Sequence, residues 1–286
     1  MSIIQLIFIS LIQGITEWLP ISSSGHVLLA SSYFGFATRD ELLINAMAHV
    51  GTLFAVLLYF YKDVGRAIAG GFELVAAPAT KKSLSDNGRL AALILISMPI
   101  ALAIAFLHEL LLTEDMKHAL RSVWTVAAST FVFGLILWWA DTKGKNEKSL
   151  QDMSLMQALL IGASQAIAAV IPGTSRSGIT MTTARWFGFE RTEAARFSML
   201  IGAPILAAGG AYAILELLTA DDTAGAAHMS DGLIVAGLSF VSGYASIFVL
   251  MALLKRISFL PFVIYRIFLA IALLLFSPLA LGWIGA

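Results

Sequence analysis

The chain has 286 residues, 59% of them apolar and only 13% charged, with a mean hydropathy of +0.87. So little charge excludes an ordinary soluble domain and identifies an integral membrane protein. Eighteen Lys and Arg balance eighteen Asp and Glu, and there is no Cys; this excludes a global field for nucleic acid, and also disulfides, thiolate metal sites and cysteine nucleophiles. The first basic residue is Arg39, so the apolar amino terminus lacks the positive region of a cleavable signal peptide and is expected to stay in the mature protein.

From the amino terminus, residues 3–12 form an apolar arm of ten residues. As a helix it measures about 15 Å, half of a roughly 30 Å hydrocarbon core. A Pro/Ser/Gly cluster follows at 20–25, and the pattern predicts a re-entrant hairpin. Single helical spans are predicted near 42–61, 90–107 and 122–140,. The stretch from about 155 to 187 is again apolar but broken, around Pro172-Gly173-Thr174-Ser175-Arg176-Ser177-Gly178. Non-helical backbone at that depth needs shielding by protein or a wet cavity, which predicts a second re-entrant hairpin. Three more spans are predicted near 197–218, 232–254 and 259–279.

The two broken regions align at a constant offset of 152 residues, pairing Gln13 with Gln165, Ile15 with Ile167, Pro20 with Pro172, Ser23 with Ser175 and Met47 with Met199. The fold class expected is therefore an all-α polytopic membrane protein with one membrane domain over 1–286. It is built from two repeats, about 1–145 and 150–286, each a re-entrant helical hairpin plus three transmembrane helices. Three spans per half make the second repeat inverted. Alternating the loops between faces gives one side Lys62, Arg66, Lys81, Lys82, Arg89, Lys143, Lys145, Lys148, Arg185, Arg191, Arg196, Lys255 and Arg256. The other side receives only Arg39, Lys117 and Arg121, and the loop at Asp221 and Asp222 has no base. The richer side is expected to be cytoplasmic. Both termini then lie outside, and the hairpins enter from opposite faces to meet near the midplane. Trp18, Trp124, Trp138, Trp139, Trp186 and Trp283 lie mostly near segment ends and are expected to be interfacial anchors.

The residues that can carry chemistry fall in the two broken regions. In the first, Gln13 and Glu17 are four apart and share a helix face, leading into Ser22-Ser23-Ser24-Gly25-His26,. The second supplies Arg176. An ionised Glu or Arg at mid-membrane costs about 2.5–3.5 kcal/mol. An opposite charge about 4 Å away recovers roughly 4 kcal/mol at an effective dielectric near 20. Pairing barely breaks even, so a wet functional cavity is the reason such groups persist. Turn amides at two half-helix starts, hydroxyls and a guanidinium fork suit phosphate oxygens. The donors are expected from Ser22, Ser24, Gly173, Thr174, Ser175, Ser177 and Thr180. Glu17 beside Gln13 offers hard oxygen ligands for a divalent metal ion, Mg²⁺ or Ca²⁺. His26 can serve as a base toward water or a serine, or attack phosphorus itself.

Gln-x-x-x-Glu followed by Leu-Pro-x-Ser-Ser-x-Gly-His, and later Pro-Gly-x-Ser-Arg-Ser-Gly-x-Thr, resembles the undecaprenyl-diphosphate phosphatase family, also called bacitracin resistance proteins. The resemblance covers essentially the whole chain. It implies removal of the terminal phosphate from undecaprenyl diphosphate at the outer face of the bacterial inner membrane, recycling the lipid carrier for wall synthesis. It implies a metal requirement, and it places Glu17, Ser23, His26 and Arg176 at the centre of the site, with Gln13, Ser22, Ser175 and Thr180 in support. The family's acidic motif begins with Glu or Gln; with Gln13 here, the ion is expected to lean on Glu17, substrate oxygens and water. The partners implied are the polyprenyl diphosphate lipid and the bilayer, with a homodimer left open and no nucleic acid.

Three further readings concern other segments and the function as a whole. His49 and Asn45, four apart on the span after the first hairpin, suit either an interhelical hydrogen-bonded pair or support of the site. The Ala-rich run 203–213 with Gly209-Gly210 suits close helix packing. Transfer of the phosphoryl group to Ser23 or to water is open, and so is a second function, a flippase for the lipid phosphate, because inverted repeats with broken helices also build carriers.

Overall fold

The computed structural model describes residues 2–34, 38–80, 84–219 and 229–276. Lys81, Lys82, Asp221, Asp222, Trp283 and positions 277–279 of the last expected span lie outside the described residues, as does the side chain of Arg39. The chain is helical throughout these stretches. The first half runs through α1 (Ile3–Trp18), α2 (Ser23–Phe34), α3 (Thr38–Tyr59), α4 (Tyr61–Thr80), α5 (Asp86–Ile96), α6 (Pro99–Leu111), α7 (Glu114–Leu120) and α8 (Val123–Lys143). The second runs through α9 (Leu155–Ala163), α10 (Gln165–Val170), α11 (Arg176–Trp186), α12 (Arg191–Thr219), α13 (Met229–Leu254) and α14 (Leu260–Phe276).

Four stretches of described helix are long and apolar enough to cross a membrane: Asp86–Leu111, Val123–Lys143, Arg191–Ala213 and Met229–Leu254. The protein is a multi-pass, all-α membrane protein. Several details depart from expectation. The arm predicted at 3–12 continues as one helix to Trp18, 16 residues or about 24 Å, because nothing before Pro20 breaks it. The span near 90–107 is interrupted at Ser97 and Met98, just ahead of Pro99, whose ring cannot continue a helix from the preceding turn. The segment after residue 61, expected as a basic loop, is the helix α4, bent by 88° from α3. Its charges hide it from a search for apolar runs. It is amphipathic, with Phe72 and Val75 exposed opposite Asp63 and Arg66, the pattern of a helix lying along a membrane surface.

Small residues let the helices approach. A methyl group on Gly14 would overlap the Ser242 hydroxyl, and one on Gly51 the Ala236 carbonyl, so α13 packs backbone to backbone against α1 and α3. Ser239 donates to the Ser10 carbonyl at 3.2 Å and Ser246 to the Ile15 carbonyl at 2.9 Å. At Gly209, by contrast, nothing lies within 4 Å. The close approach on α12 falls instead at Gly202. One buried apolar cluster contains Trp18, Ile21, Phe197 and Phe259. Trp18, expected as an interfacial anchor, is fully buried and donates to the Thr52 carbonyl at 3.1 Å; Trp124, Trp138, Trp139 and Trp186 are exposed. Arg185, counted as a loop base, is also fully buried, 2.8 Å from Asp141, whose other oxygen accepts from the Phe259 amide at 3.0 Å.

Two turns, 19–22 between α1 and α2 and 171–175 between α10 and α11, are clamped together by Arg266 of α14. This guanidinium is fully buried and, among the described residues, meets only carbonyl oxygens. Its Nε donates to Thr130 at 2.9 Å, Nη1 to Thr174 at 3.0 Å and Pro20 at 3.5 Å, and Nη2 to Gly173 at 3.1 Å. Gly134 and Gly178 leave room for it. Five directed donors match this set of acceptors, whereas a lysine ammonium reaches from one point. An unsatisfied buried acceptor costs about 1–3 kcal/mol. Arg266→Lys is therefore expected to lower Tm in detergent by about 10 °C, on the scale of about 2–4 °C per kcal/mol for a chain of this size. Thermal unfolding of the purified variant checks this, and an unchanged Tm would show that the clamp does not hold the turns.

Candidate active site

Each turn ends in a serine forced into an unusual backbone conformation. Ser22 has φ +71° and Ser175 φ +69°, a region that is sparsely populated for residues other than glycine. The consequence is the same at both. The Ser22 hydroxyl accepts from the Gly25 amide at 3.4 Å and that of Ser175 from the Gly178 amide at 3.1 Å, so each caps the helix that follows,. By this geometry Ser22 matches Ser175, and Ser23 matches Arg176; the sequence offset of 152 paired Ser23 with Ser175. One extra residue after Pro172 shifts the register. The amino-terminal ends of α2 and α11 thus come together, and the Gly173 amide donates to Ser24 Oγ at 3.0 Å across the two turns.

Glu17 sits at their junction, 7% exposed. Arg176 Nη2 donates to its Oε1 at 2.9 Å, Gln13 Nε2 to its Oε2 at 2.7 Å and Ser23 Oγ to Oε2 at 3.4 Å. Arg176 also lies over the Trp18 ring, 4.9 Å from its centroid, a cation–π contact that fixes the plane of the fork. Its Nη1 is buried against Gly202 and has no hydrogen-bond partner among the described residues. Residues 159 apart in sequence therefore form one buried ion pair with one guanidinium nitrogen left unsatisfied.

The structure does not bring all the expected site residues to this point. Ser23, Ser24 and Ser175 keep part of their surface open. Ser22, Thr174, Ser177 and Thr180 are buried and use their hydroxyls within the protein: Thr174 on the Ile171 carbonyl at 2.7 Å, Ser177 on Leu19 at 3.0 Å, Thr180 against Ser198 at 2.6 Å. Gly173, at φ +89°, has no room for a side chain beside Ser129. His26 points toward α14. Its Nδ1 lies 2.8 Å from the Ser22 carbonyl and its Nε2 2.6 Å from Tyr265 Oη. Among the described residues no hydrogen bond joins it to Ser23, Glu17 or Arg176.

His49 is in the site, where sequence reading left its role open. Its Nδ1 is 3.1 Å from Gln13 Nε2 and 3.7 Å from Glu17 Oε2. An imidazole one helix away had no local signal linking it to Gln13. Arg266, by contrast, was detectable as a base inside an apolar run.

The donor set does not fit a divalent ion held by the protein alone. Among the described residues no three His, Asp or Glu side chains gather at one point. The single carboxylate already faces a guanidinium, and Gln13 turns its NH₂ toward it. Hard cations need several oxygen ligands, and only Glu17 presents a charged one here.

The family model described as "Bacitracin resistance protein BacA" matches residues 6–272. The undecaprenyl-diphosphatase of Hyphomonas neptunium is 62% identical over 285 residues, covering both chains completely. That of Maricaulis maris is 48% identical over 96% of this chain and 99% of its own. Undecaprenyl-diphosphatase 1 of Pseudoalteromonas translucida is 40% identical over 98% of this chain and all of its own. With a match over nearly its full length, and with the two turns that carry the motifs meeting at Glu17 and Arg176, the chain belongs to the bacitracin resistance protein family.

Proposed function

We propose that the chain hydrolyses undecaprenyl diphosphate to undecaprenyl phosphate and inorganic phosphate, on the outer side of the bacterial inner membrane. The observation that carries this reading is the Glu17–Arg176 pair formed where the two turns meet. The Arg176 side chain keeps 17% of its surface open, through which a phosphoryl oxygen can reach the guanidinium, and the amino-terminal ends of α2 and α11 add backbone N–H groups and positive helix-dipole ends. Ser23 and Ser24 supply hydroxyl donors. The lipid tail stays among the apolar helix surfaces, and only the head group enters. The excess of Lys and Arg on alternate loops supports the orientation. The common Ser-x-x-Gly capping geometry of the two turns supports an inverted duplication, and because one chain supplies both turns the site needs no homodimer.

In the reaction we infer, Arg176 holds the terminal phosphoryl group in line for attack and counters the charge that develops on it. Glu17 keeps the guanidinium oriented, with Gln13 and His49 fixing the carboxylate from behind. The acceptor is water, and His26 is the base on which its proton charge ends. The placement of His26 supports water over Ser23, since Ser23 hydrogen-bonds Glu17 and not the imidazole. A divalent ion, Mg²⁺ or Ca²⁺, would find too few oxygen ligands on these residues alone, and bound to the lipid diphosphate it would supply charge neutralisation.

Purified protein in detergent, where no transport can be scored, is expected to release phosphate from undecaprenyl diphosphate without a trapped phosphoenzyme in rapid quench. Gly202→Ala sends its methyl into Arg176 Nη1, the far end of a flexible chain. It is expected to leave folding intact and cut phosphate release by about 10-fold or more, on the scale at which small misplacements act. No release by the unmodified protein, or full activity in Gly202→Ala, would contradict this reading. For the ion, equilibrium dialysis of the lipid-free protein is expected to show no stoichiometric Mg²⁺ or Ca²⁺, while chelator abolishes turnover. One tightly held ion that disappears in Glu17→Gln would place the metal on the protein instead.

A further inference from the structure

The imidazole assigned as base does not face the reaction unaccompanied. The Ser22 carbonyl is an acceptor only, so at 2.8 Å it requires the hydrogen on His26 Nδ1, which leaves Nε2 as the basic nitrogen. Nε2 in turn lies 2.6 Å from the Tyr265 hydroxyl, which must therefore donate to it. The two rings lie 9° from parallel with centroids 5.5 Å apart, so stacking as well as the hydrogen bond holds the pair. Tyr265 immediately precedes Arg266, whose guanidinium holds the Thr174 and Gly173 carbonyls of the second turn and, at 3.5 Å, the Pro20 carbonyl of the first. The phenol is thus fixed relative to the turns by its neighbour in the chain. It remains 44% exposed, at an edge of α14 beyond which Phe268 and Ile271 are also exposed. A lone pair already occupied by a phenol takes no proton directly from water.

We propose that Tyr265 is a catalytic residue for the hydrolysis, its hydroxyl standing between the attacking water and His26 and relaying the proton. This rests on the reading of His26 as the base. As the water oxygen bonds to the terminal phosphorus, the bond from that phosphorus to the bridging oxygen breaks. Its electron pair leaves with the lipid phosphate. The water proton passes to the phenol oxygen while the phenol's own proton passes to His26 Nε2. Tyr265 ends as it began, and the imidazolium returns its proton to bulk water after the inorganic phosphate departs. No atom changes oxidation state.

Tyr265→Phe keeps the ring and the stack and removes only the hydroxyl. With undecaprenyl diphosphate and purified protein, it is expected to lower kcat about 100-fold, the range of general acid–base contributions, with KM changed less than about 2-fold. The double variant Tyr265→Phe/His26→Ala is expected to be no slower than His26→Ala alone, because two members of one relay are lost only once. A normal kcat in Tyr265→Phe beside a slow His26→Ala would remove the tyrosine and leave the base reading standing. Losses that multiply in the double variant would make the two independent and overturn the relay. A normal kcat in His26→Ala would overturn the base reading and the relay together.

Discussion

The site depends on one buried ion pair formed across two turns. Glu17 and Arg176 come from hairpins 159 residues apart, and neither charge is stable at that depth without the other. Breaking a buried pair by removing one partner typically costs 3–5 kcal/mol, because the survivor is left uncompensated. The surrounding contacts follow from that constraint. Trp18 lies beneath the guanidinium, Gly202 clears space for Nη1, and Gln13 and Ser23 both donate to the carboxylate oxygen that Arg176 does not hold. Because this pair joins the halves, the amino-terminal ends of α2 and α11 open onto the same point.

A second cation works from the opposite side. Arg266 meets no carboxylate among the described residues and instead collects carbonyl oxygens from the second turn, from Pro20 of the first and from α8. The turn peptides it holds are also closed on themselves: the N–H ends of Ile21 and Thr174 donate back within their own turns, to the Leu19 carbonyl at 2.8 Å and the Ile171 carbonyl at 3.4 Å. The two halves contribute unequally. Ahead of the turns, where the offset of 152 holds, Glu17 corresponds to Ala169, and the second hairpin keeps Gln165 opposite Gln13, its Oε1 buried without a partner among the described residues. The first hairpin carries the carboxylate and the imidazoles, and the second carries the guanidinium.

Much of this was legible in the sequence because the bilayer punishes exceptions. Glu17 and Arg176 stand out in apolar surroundings for the same energetic reason that makes them paired in the structure. Spans were legible where apolar runs were unbroken. Helix α4 was not, since its charged and apolar residues alternate at helical spacing and average to an unremarkable hydropathy. The register between the turns was misjudged by one residue because an alignment of letters cannot see that Ser22 and Ser175 share a left-handed backbone and a capped glycine three residues on. Tyr265 lies on a helix remote in sequence from the motif it touches, so only tertiary packing reveals it, and the same packing decides between the two readings of His49 by setting it against Gln13. The motif hydroxyls looked equivalent as donors, yet Thr174, Ser177 and Thr180 turn inward to satisfy the backbone at the helix start. That demand is local and strong where no water is available.

The most direct test of a single site built from two hairpins is the energetic coupling between Glu17 and Arg176. Phosphate release from undecaprenyl diphosphate would be measured for Glu17→Gln, Arg176→Gln and the double variant. If the pair acts as one unit, each single change costs about 100-fold or more in kcat/KM and the double costs no more than the worse single. Losses that simply multiply, or near-normal turnover without the guanidinium, would contradict the account.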